Sequence, residues 1–240
     1  CHMQEMDLSS LLSRFKEPET LKMAKLGREL RAQGFDITDL SLGEPDFDTP
    51  QHIKKAAIEA IEQNFSHYTP VAGYLDLRQA ICDKLQRDNS LLFSPEQIVV
   101  STGAKQCIAN LVLAVVDAGD EVIIPTPYWV TYSEIVKLAG GVPVLVKTKM
   151  ENGFKITPEE LEANISERTK LFMFSSPCNP TGAVYAEDEL QQLARVFEKH
   201  QDILIMSDEI YEFINYTGKH FSIAQIPSLK NRTIVINGLS

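Results

Sequence analysis

From about residue 97 onward the chain alternates between short apolar runs and longer stretches whose apolar residues recur at helical spacing. The runs at 98–101, 121–124, 142–146, 170–175, 203–206 and 233–236 are rich in β-branched and aromatic residues and bounded by Gly, Pro, Asn or Asp. They read as strands. Ile203-Leu204-Ile205-Met206 is apolar throughout, the pattern of a strand covered on both faces. Between the runs the spacing predicts helices over 103–117, 132–139, 158–164 and 187–200. Strand and helix in alternation, with connections too long for hairpins, imply βαβ units. The expected fold class is α/β, a mainly parallel sheet with helices on both faces.

Upstream the pattern is less regular. Leu8, Leu11, Leu12 and Phe15 suggest a short helical piece, which Pro18 separates from an amphipathic helix over 21–30 ended by Gly34. A short strand is expected at 37–42 and helices at 51–64 and 75–89, with a loop carrying His67 and Tyr68 between the two helices. Gly43-Glu44-Pro45-Asp46-Phe47-Asp48-Thr49-Pro50 cannot be regular structure. It is either a plain connection or a loop in which Gly43 lets the backbone approach a ligand closely.

Composition narrows the function classes more than the fold. Of 240 residues 44% are hydrophobic and 23% charged, an ordinary globular profile. A formal net charge of −10, with the basic residues scattered, argues against a nucleic-acid groove or an anionic membrane surface as partner. No apolar run approaches membrane-spanning length, and no signal-peptide core precedes the first helix. Cys1, Cys82, Cys107 and Cys178 share no metal-like spacing, so neither a metal site nor a disulfide framework is expected. Reduced thiols and a cytoplasmic location fit these features. Cys1-His2-Met3 reads as a cloning remnant ahead of a native start.

The candidate chemistry lies where strands end. In an open parallel sheet ligands sit beyond the carboxyl ends of the strands. Those ends here carry Gly103-Ala104-Lys105, Tyr128-Trp129, Asn179, Asp208 with Tyr211, and Asn237-Gly238. Gly103 and Ala104 open a helix whose free N–H groups and positive dipole end suit a phosphate, with Lys105 adding a cation. Neither the phosphate-loop spacing nor a Gly-x-Gly-x-x-Gly fingerprint is present. Trp129 is either a packing aromatic or a surface that stacks on a flat ring. Asn179 is either a turn residue or, with Tyr211, a donor to a ring oxygen. Asp208 is either the N-cap of a following helix or the partner of a protonated ring nitrogen, whose acidity it would lower by charge pairing. One phosphate, one aromatic ring, one phenolic oxygen and one ring nitrogen describe pyridoxal phosphate.

Ser41-Leu42-Gly43-Glu44-Pro45-Asp46-Phe47, Tyr68 with Gly73, Pro127-Tyr128-Trp129, Ser176-Pro177-Cys178-Asn179-Pro180-Thr181-Gly182 and Ser207-Asp208-Glu209-Ile210-Tyr211 occur in this order. Together they resemble the class I aminotransferases of pyridoxal-phosphate fold type I, the bacterial aspartate aminotransferase branch above all. The resemblance implies an aminotransferase that moves an amino group between an L-amino acid, aspartate or glutamate, and a 2-oxo acid. It implies a homodimer. Residues 1–48 would contribute to a small domain and 49–240 would form the cofactor-binding large domain, incomplete on its C-terminal side. Gly103, Ala104 and Lys105 would hold the phosphate, Trp129 would stack on the ring, Asn179 and Tyr211 would bond its oxygen and Asp208 its nitrogen. Tyr68 would reach a partner subunit's phosphate. Gly43 would meet the substrate α-carboxylate, near Trp129 and Asn179, while Lys105 and Thr20 would read a distal carboxylate. The family's Schiff-base lysine is expected directly after Ser240, so the resemblance assigns no catalytic residue within the chain. Lys230 precedes the last strand and would face the wrong end of the sheet. The alternatives on the same scaffold are an aromatic, prephenate or alanine aminotransferase or a β-lyase. A chain that truly stopped at Ser240 would be a catalytically silent cofactor-binding domain.

Overall fold

A computed structural model describes residues 9–11, 19–38, 40, 43 and 46–239, with 19–21 described by backbone alone. They form two compact units, one spanning Glu17–Tyr74 and the other built on Leu75–Ser240.

The smaller unit holds α1 (Glu19–Ala32) and α2 (Gln51–Glu62). Gly34, at φ +90°, ends α1 by taking the left-handed turn that lets Phe35 N donate back to Leu30 O at 3.1 Å. The strand expected at 37–42 is absent among the described residues there; Asp39, Ser41 and Leu42 lie outside them. The helical piece expected around 8–15 also lies largely outside them. Pro50 leads into α2, which buries none of its residues. The Phe65 and Tyr74 rings meet edge-on at 6.1 Å.

The larger unit contains α3 (Leu75–Asn89), α4 (Ala104–Val115), β1 (Glu121–Thr126), α5 (Thr131–Leu138), β2 (Val142–Lys147), α6 (Pro158–Asn164), β3 (Thr169–Ser175), α7 (Glu187–Phe197), β4 (Leu204–Asp208) and β5 (Thr233–Ile236). The strands form one sheet in the order β2-β1-β3-β4-β5, every pair parallel. Alternate residues of each strand serve opposite faces. Ile123, Phe172, Phe174 and Ile205 pack with Leu161 of α6 and Leu190, Leu193 and Phe197 of α7. Val122, Ile124, Leu171, Met173 and Met206 pack with Ile108 and Val112 of α4 and Tyr132, Ile135 and Val136 of α5. The continuous apolar reading of the central strands is thus explained by helices on both sides. No helix among the described residues is long and apolar enough to cross a membrane.

In the larger unit one expected strand is missing and one of the two readings of Asp208 fails. Residues 98–101 form no strand: they leave a 3-10 turn at Pro95–Gln97, Val99 is 64% exposed, and Ile98 joins a small side cluster with Leu85 and Leu91. The run has no strand beside it among the described residues, although it is as long as β5. No helix follows Asp208 either. The chain instead turns tightly, Glu212 N donating to Glu209 O at 3.0 Å and Ile214 N to Tyr211 O at 2.8 Å. The helix expected over 187–200 stops at Phe197; the chain then turns, and the Arg232 guanidinium donates to Phe197 O and His200 O at 2.7 Å each.

Candidate active site at the carboxyl rim of the sheet

Parallel pairing places the last residues of all five strands on one rim. The register sets Asp208 beside Ser175 of β3 and Ile236 of β5. Asp208 is only 4% exposed. Its Oδ1 accepts from Ile210 N at 3.2 Å and its Oδ2 from the Tyr132 hydroxyl at 2.5 Å. Burial pushes the carboxyl above its ordinary range, against the lowering pull of those two donors, and the nearby Glu209 adds to the rise. No cationic side chain among the described residues pairs with it. With no helix after it, Asp208 is not a helix cap; it is a buried carboxyl fixed by two donors with no cation beside it among the described residues.

The phosphate-like site starts one layer away. Gly103 at φ +82° turns the chain into α4, and a Cβ built on it would meet nothing within 4 Å. Thr102 N donates to Gln106 Oε1 at 2.5 Å, while Gln106 N and Cys107 N both return to Gly103 O. The N–H groups of Ala104 and Lys105 donate to no acceptor among the described residues, so the helix presents two free donors at its positive end. Lys105 Nζ lies 5.1 Å over the Trp129 ring, and that ring meets Tyr132 edge-on at 5.8 Å and 84°. Cation, indole, phenol and buried carboxylate thus form a continuous path, Lys105–Trp129–Tyr132–Asp208.

The other expected residues divide between the two units. Asn179 stands on the loop after β3, braced where Cys178 N donates to Ala183 O and Gly182 N to Cys178 O. Tyr211 stands in the turn after β4. Both are half-buried, and neither side chain bonds to another described residue. Gly43, Thr20 and Tyr68 belong to the smaller unit. Tyr68 is fully exposed, and the Thr20 side chain lies outside the described residues. Lys230 sits in a 3-10 turn at the amino end of β5, stacked over Phe93 at 5.6 Å, away from the rim.

Sequence reasoning passed over Tyr132 and a polar network behind the rim. Tyr132 carries the only hydroxyl phenol on the apolar face of α5, a signal that its oxygen needs a buried partner. Glu212, nearly buried, accepts from Lys84 Nζ, from Asn89 Nδ2 at 2.8 Å and from Asn237 Nδ2 at 2.8 Å. It ties α3 to the turns after β4 and β5. These hydrogen bonds hold its carboxyl below the ordinary range although burial opposes them. Glu209 accepts from Ser207 Oγ at 2.8 Å, from Ser222 Oγ at 2.6 Å and pairs with His220 Nε2 at 2.8 Å. Glu209, Glu212 and His220 bring ligand atoms within 4.8 Å of one another, but both carboxylates already accept from several donors and the Lys84 ammonium stands among them, which disfavours a cation.

A parallel sheet with a buried acid, a glycine-opened helix terminus and an indole along one rim defines an α/β protein of the fold type I transferase architecture. The family described as aminotransferase class I and II matches residues 36–240, and the chain belongs to that family. It is 49% identical over 237 residues to an aspartate/prephenate aminotransferase of Nitrosomonas europaea, covering 98% of this chain and 60% of the relative. It is 48% identical, with the same coverage, to an aspartate aminotransferase of Bacillus subtilis. Among solved structures, the aspartate aminotransferase from Rhizobium meliloti superposes with a TM-score of 0.94 at 41% identity, covering 98% of this chain and 59% of that one. The Thermus thermophilus enzyme with maleate gives 0.93 at 44% identity, covering 98% and 61%. The chain therefore spans about three-fifths of the length of the relatives it matches.

Proposed function

We propose that this chain is the cofactor-binding part of a pyridoxal-phosphate-dependent aminotransferase that moves an amino group between aspartate or glutamate and a 2-oxo acid. The observation that carries the reading is Asp208, a buried carboxylate fixed on both oxygens and lacking a cation among the described residues. A protonated ring nitrogen supplies the missing charge, and the donor set around it fits the rest of the cofactor. The N–H groups of Ala104 and Lys105, with Gly103, suit the phosphate. Trp129 offers a ring face, and Asn179 and Tyr211 have uncommitted polar atoms for a ring oxygen. The cofactor, when bound, supplies an electron sink for the substrate's α-carbon. The protein's part is to keep the ring nitrogen protonated through Asp208, to seat the phosphate on α4, and to orient the amino acid.

For the substrate, the resemblance assigns Gly43, Trp129 and Asn179 to the α-carboxylate and Lys105 and Thr20 to a distal carboxylate. Relatives named for aspartate, one of them also for prephenate, support a dicarboxylic preference. Residues 1–48 belong with a small domain and 49–240 with the large one, the Schiff-base lysine following Ser240. A homodimer, in a cytoplasmic setting, gives the fully exposed Tyr68 a partner phosphate to reach and covers the exposed α2.

The test is the visible spectrum of the full-length protein with pyridoxal phosphate, before and after aspartate. The expected result is a bound cofactor band that bleaches with aspartate, together with a cofactor affinity at least about tenfold weaker in Asp208→Ala. A protein that never colours, or an Asp208→Ala variant with unchanged affinity, overturns the reading.

A further inference from the structure

We infer that Glu212 is a positioning residue whose carboxylate holds the Asn237 amide and so aims the chain leaving β5 at the ligand that pairs with Asp208. The inference rests on the proposed function, in which the residue after Ser240, four beyond Asn237, is the Schiff-base lysine.

Three contacts pin the first residues after β5 to the turn after β4. Glu209 N donates to Ile236 O at 2.8 Å. Asn237 Nδ2 donates to Glu212 Oε1 at 2.8 Å. A Cβ on Gly238 would lie 2.9 Å from Ile210 Cδ1, so the backbone passes too close there for a side chain. The carboxylate also decides which way the amide points. A carboxylate only accepts, so the Asn237 nitrogen faces Glu212, and its oxygen is left to accept from Gly238 N at 2.7 Å. Glu212 is itself held from behind, at 7% exposure. Asn89 Nδ2 reaches its Oε2 at 2.8 Å, and Lys84 Nζ shares its Oε1. Burial works against the charge, but the hydrogen bonds from Asn89, Lys84 and Asn237 outweigh it and hold the carboxyl below its ordinary range. Glu212 is therefore an anion at neutral pH, a fixed acceptor for the amide.

The same turn serves the acid. Ile210 N donates to Asp208 Oδ1 at 3.2 Å, and the Ile210 side chain lies against Gly238. Residues 208–212 thus hold both the carboxylate that meets the ring nitrogen and the chain that leads to the amine. Four residues reach at most about 14 Å, so a displacement at Asn237 is passed on to the amine. Attachment forms one C=N bond: the amine nitrogen adds to the ligand's aldehyde carbon, and the carbonyl oxygen leaves as water with the two amine protons. Its rate depends on how the amine approaches. Reversible seating of the phosphate and ring needs no amine.

That difference gives the test. Cofactor-free full-length protein is mixed with pyridoxal phosphate, and the rate of covalent attachment is read as borohydride-fixed mass. Its affinity for pyridoxamine phosphate, which fills the same seat and forms no such bond, is measured by calorimetry. Asn237→Ala leaves Glu212 both of its donors from α3; it is expected to slow attachment about tenfold or more while pyridoxamine phosphate affinity stays within about twofold. Glu212→Gln, which keeps the shape and removes the charge, is expected to slow attachment as well, and it keeps the test sound should the Ala variant fold poorly. The double variant should be no slower than the slower single one, because both remove one contact. Attachment at the wild-type rate in both variants, parallel loss for both ligands, or slowing that multiplies in the double variant overturns the role of Glu212 while sparing the proposed function. A wild type that binds neither ligand, or binds both without fixable attachment, overturns the two together.

Discussion

Asp208 is costly where it stands, and that cost can be measured. Its folded carboxyl titrates above its ordinary value of 3.8, so the stability it contributes is fully present below that value and is lost as pH rises through the raised one. Cofactor-free wild type should therefore lose stability relative to Asp208→Asn as pH rises from acid toward neutral, whatever the offset set by the lost acceptor oxygen. Denaturant titrations at several pH values would show it. Glu212 has the opposite sign. Its folded carboxyl titrates below its ordinary 4.5, so its contribution is present above that value and lost as pH falls through the lowered one. Glu212→Ala, which strands Lys84 and two amides, should cost about 3–5 kcal/mol by the same method, and Glu212→Gln should flatten the acid limb. The contrast explains what could be read in advance. Asp208 was legible because a carboxylate at the end of an all-apolar strand stands out locally. Tyr132 and Glu212 were not, since their partners lie 76 and 128 residues away along the chain.

Strands and helices were legible where packing and local chemistry agree. β5 occupies the expected residues because Thr233–Ile236 is both β-branched and paired to β4. The run at 98–101 has similar composition but no strand beside it among the described residues, so composition alone misleads there. α6 was readable from its ends. Thr157 accepts from Glu160 N at 3.2 Å, and Glu160 returns the bond to Thr157 N at 3.0 Å. Thr157→Ala should destabilise the larger unit by about 1 kcal/mol, seen as a lowered thermal midpoint. The junction of α5 and β2 is less forgiving. A Cβ on Gly141 would lie 2.6 Å from Val116 Cγ1 and 3.0 Å from Val136 Cγ1. Gly141→Ala should cost about 1–3 kcal/mol through forced side-chain shifts, checked by the same melts.

Across the whole molecule, an α/β reading followed from alternation alone, whereas the strand order could not, because parallel neighbours are joined by helices rather than turns. What the larger unit encloses, the smaller one exposes: α2 presents Ile53, Ile58 and Ile61 with no buried residue, Ile61 at 77% exposure. If that face is the proposed dimer contact, Ile61→Glu in the full-length protein should shift sedimentation from dimer to monomer while leaving the melting of the larger unit unchanged. A dimer that persists assigns the contact elsewhere.

The order β2-β1-β3-β4-β5 also carries a temporal meaning. β2 docks beside β1, β3 on the other edge of β1, β4 beside β3 and β5 beside β4. Each of these five strands, as it leaves the ribosome, finds its described neighbour already made, so this part of the sheet grows outward in the order of synthesis. The rim that gathers Trp129, Asn179 and Asp208 is assembled in the same sequence, with the acid arriving after the indole and phenol that receive it.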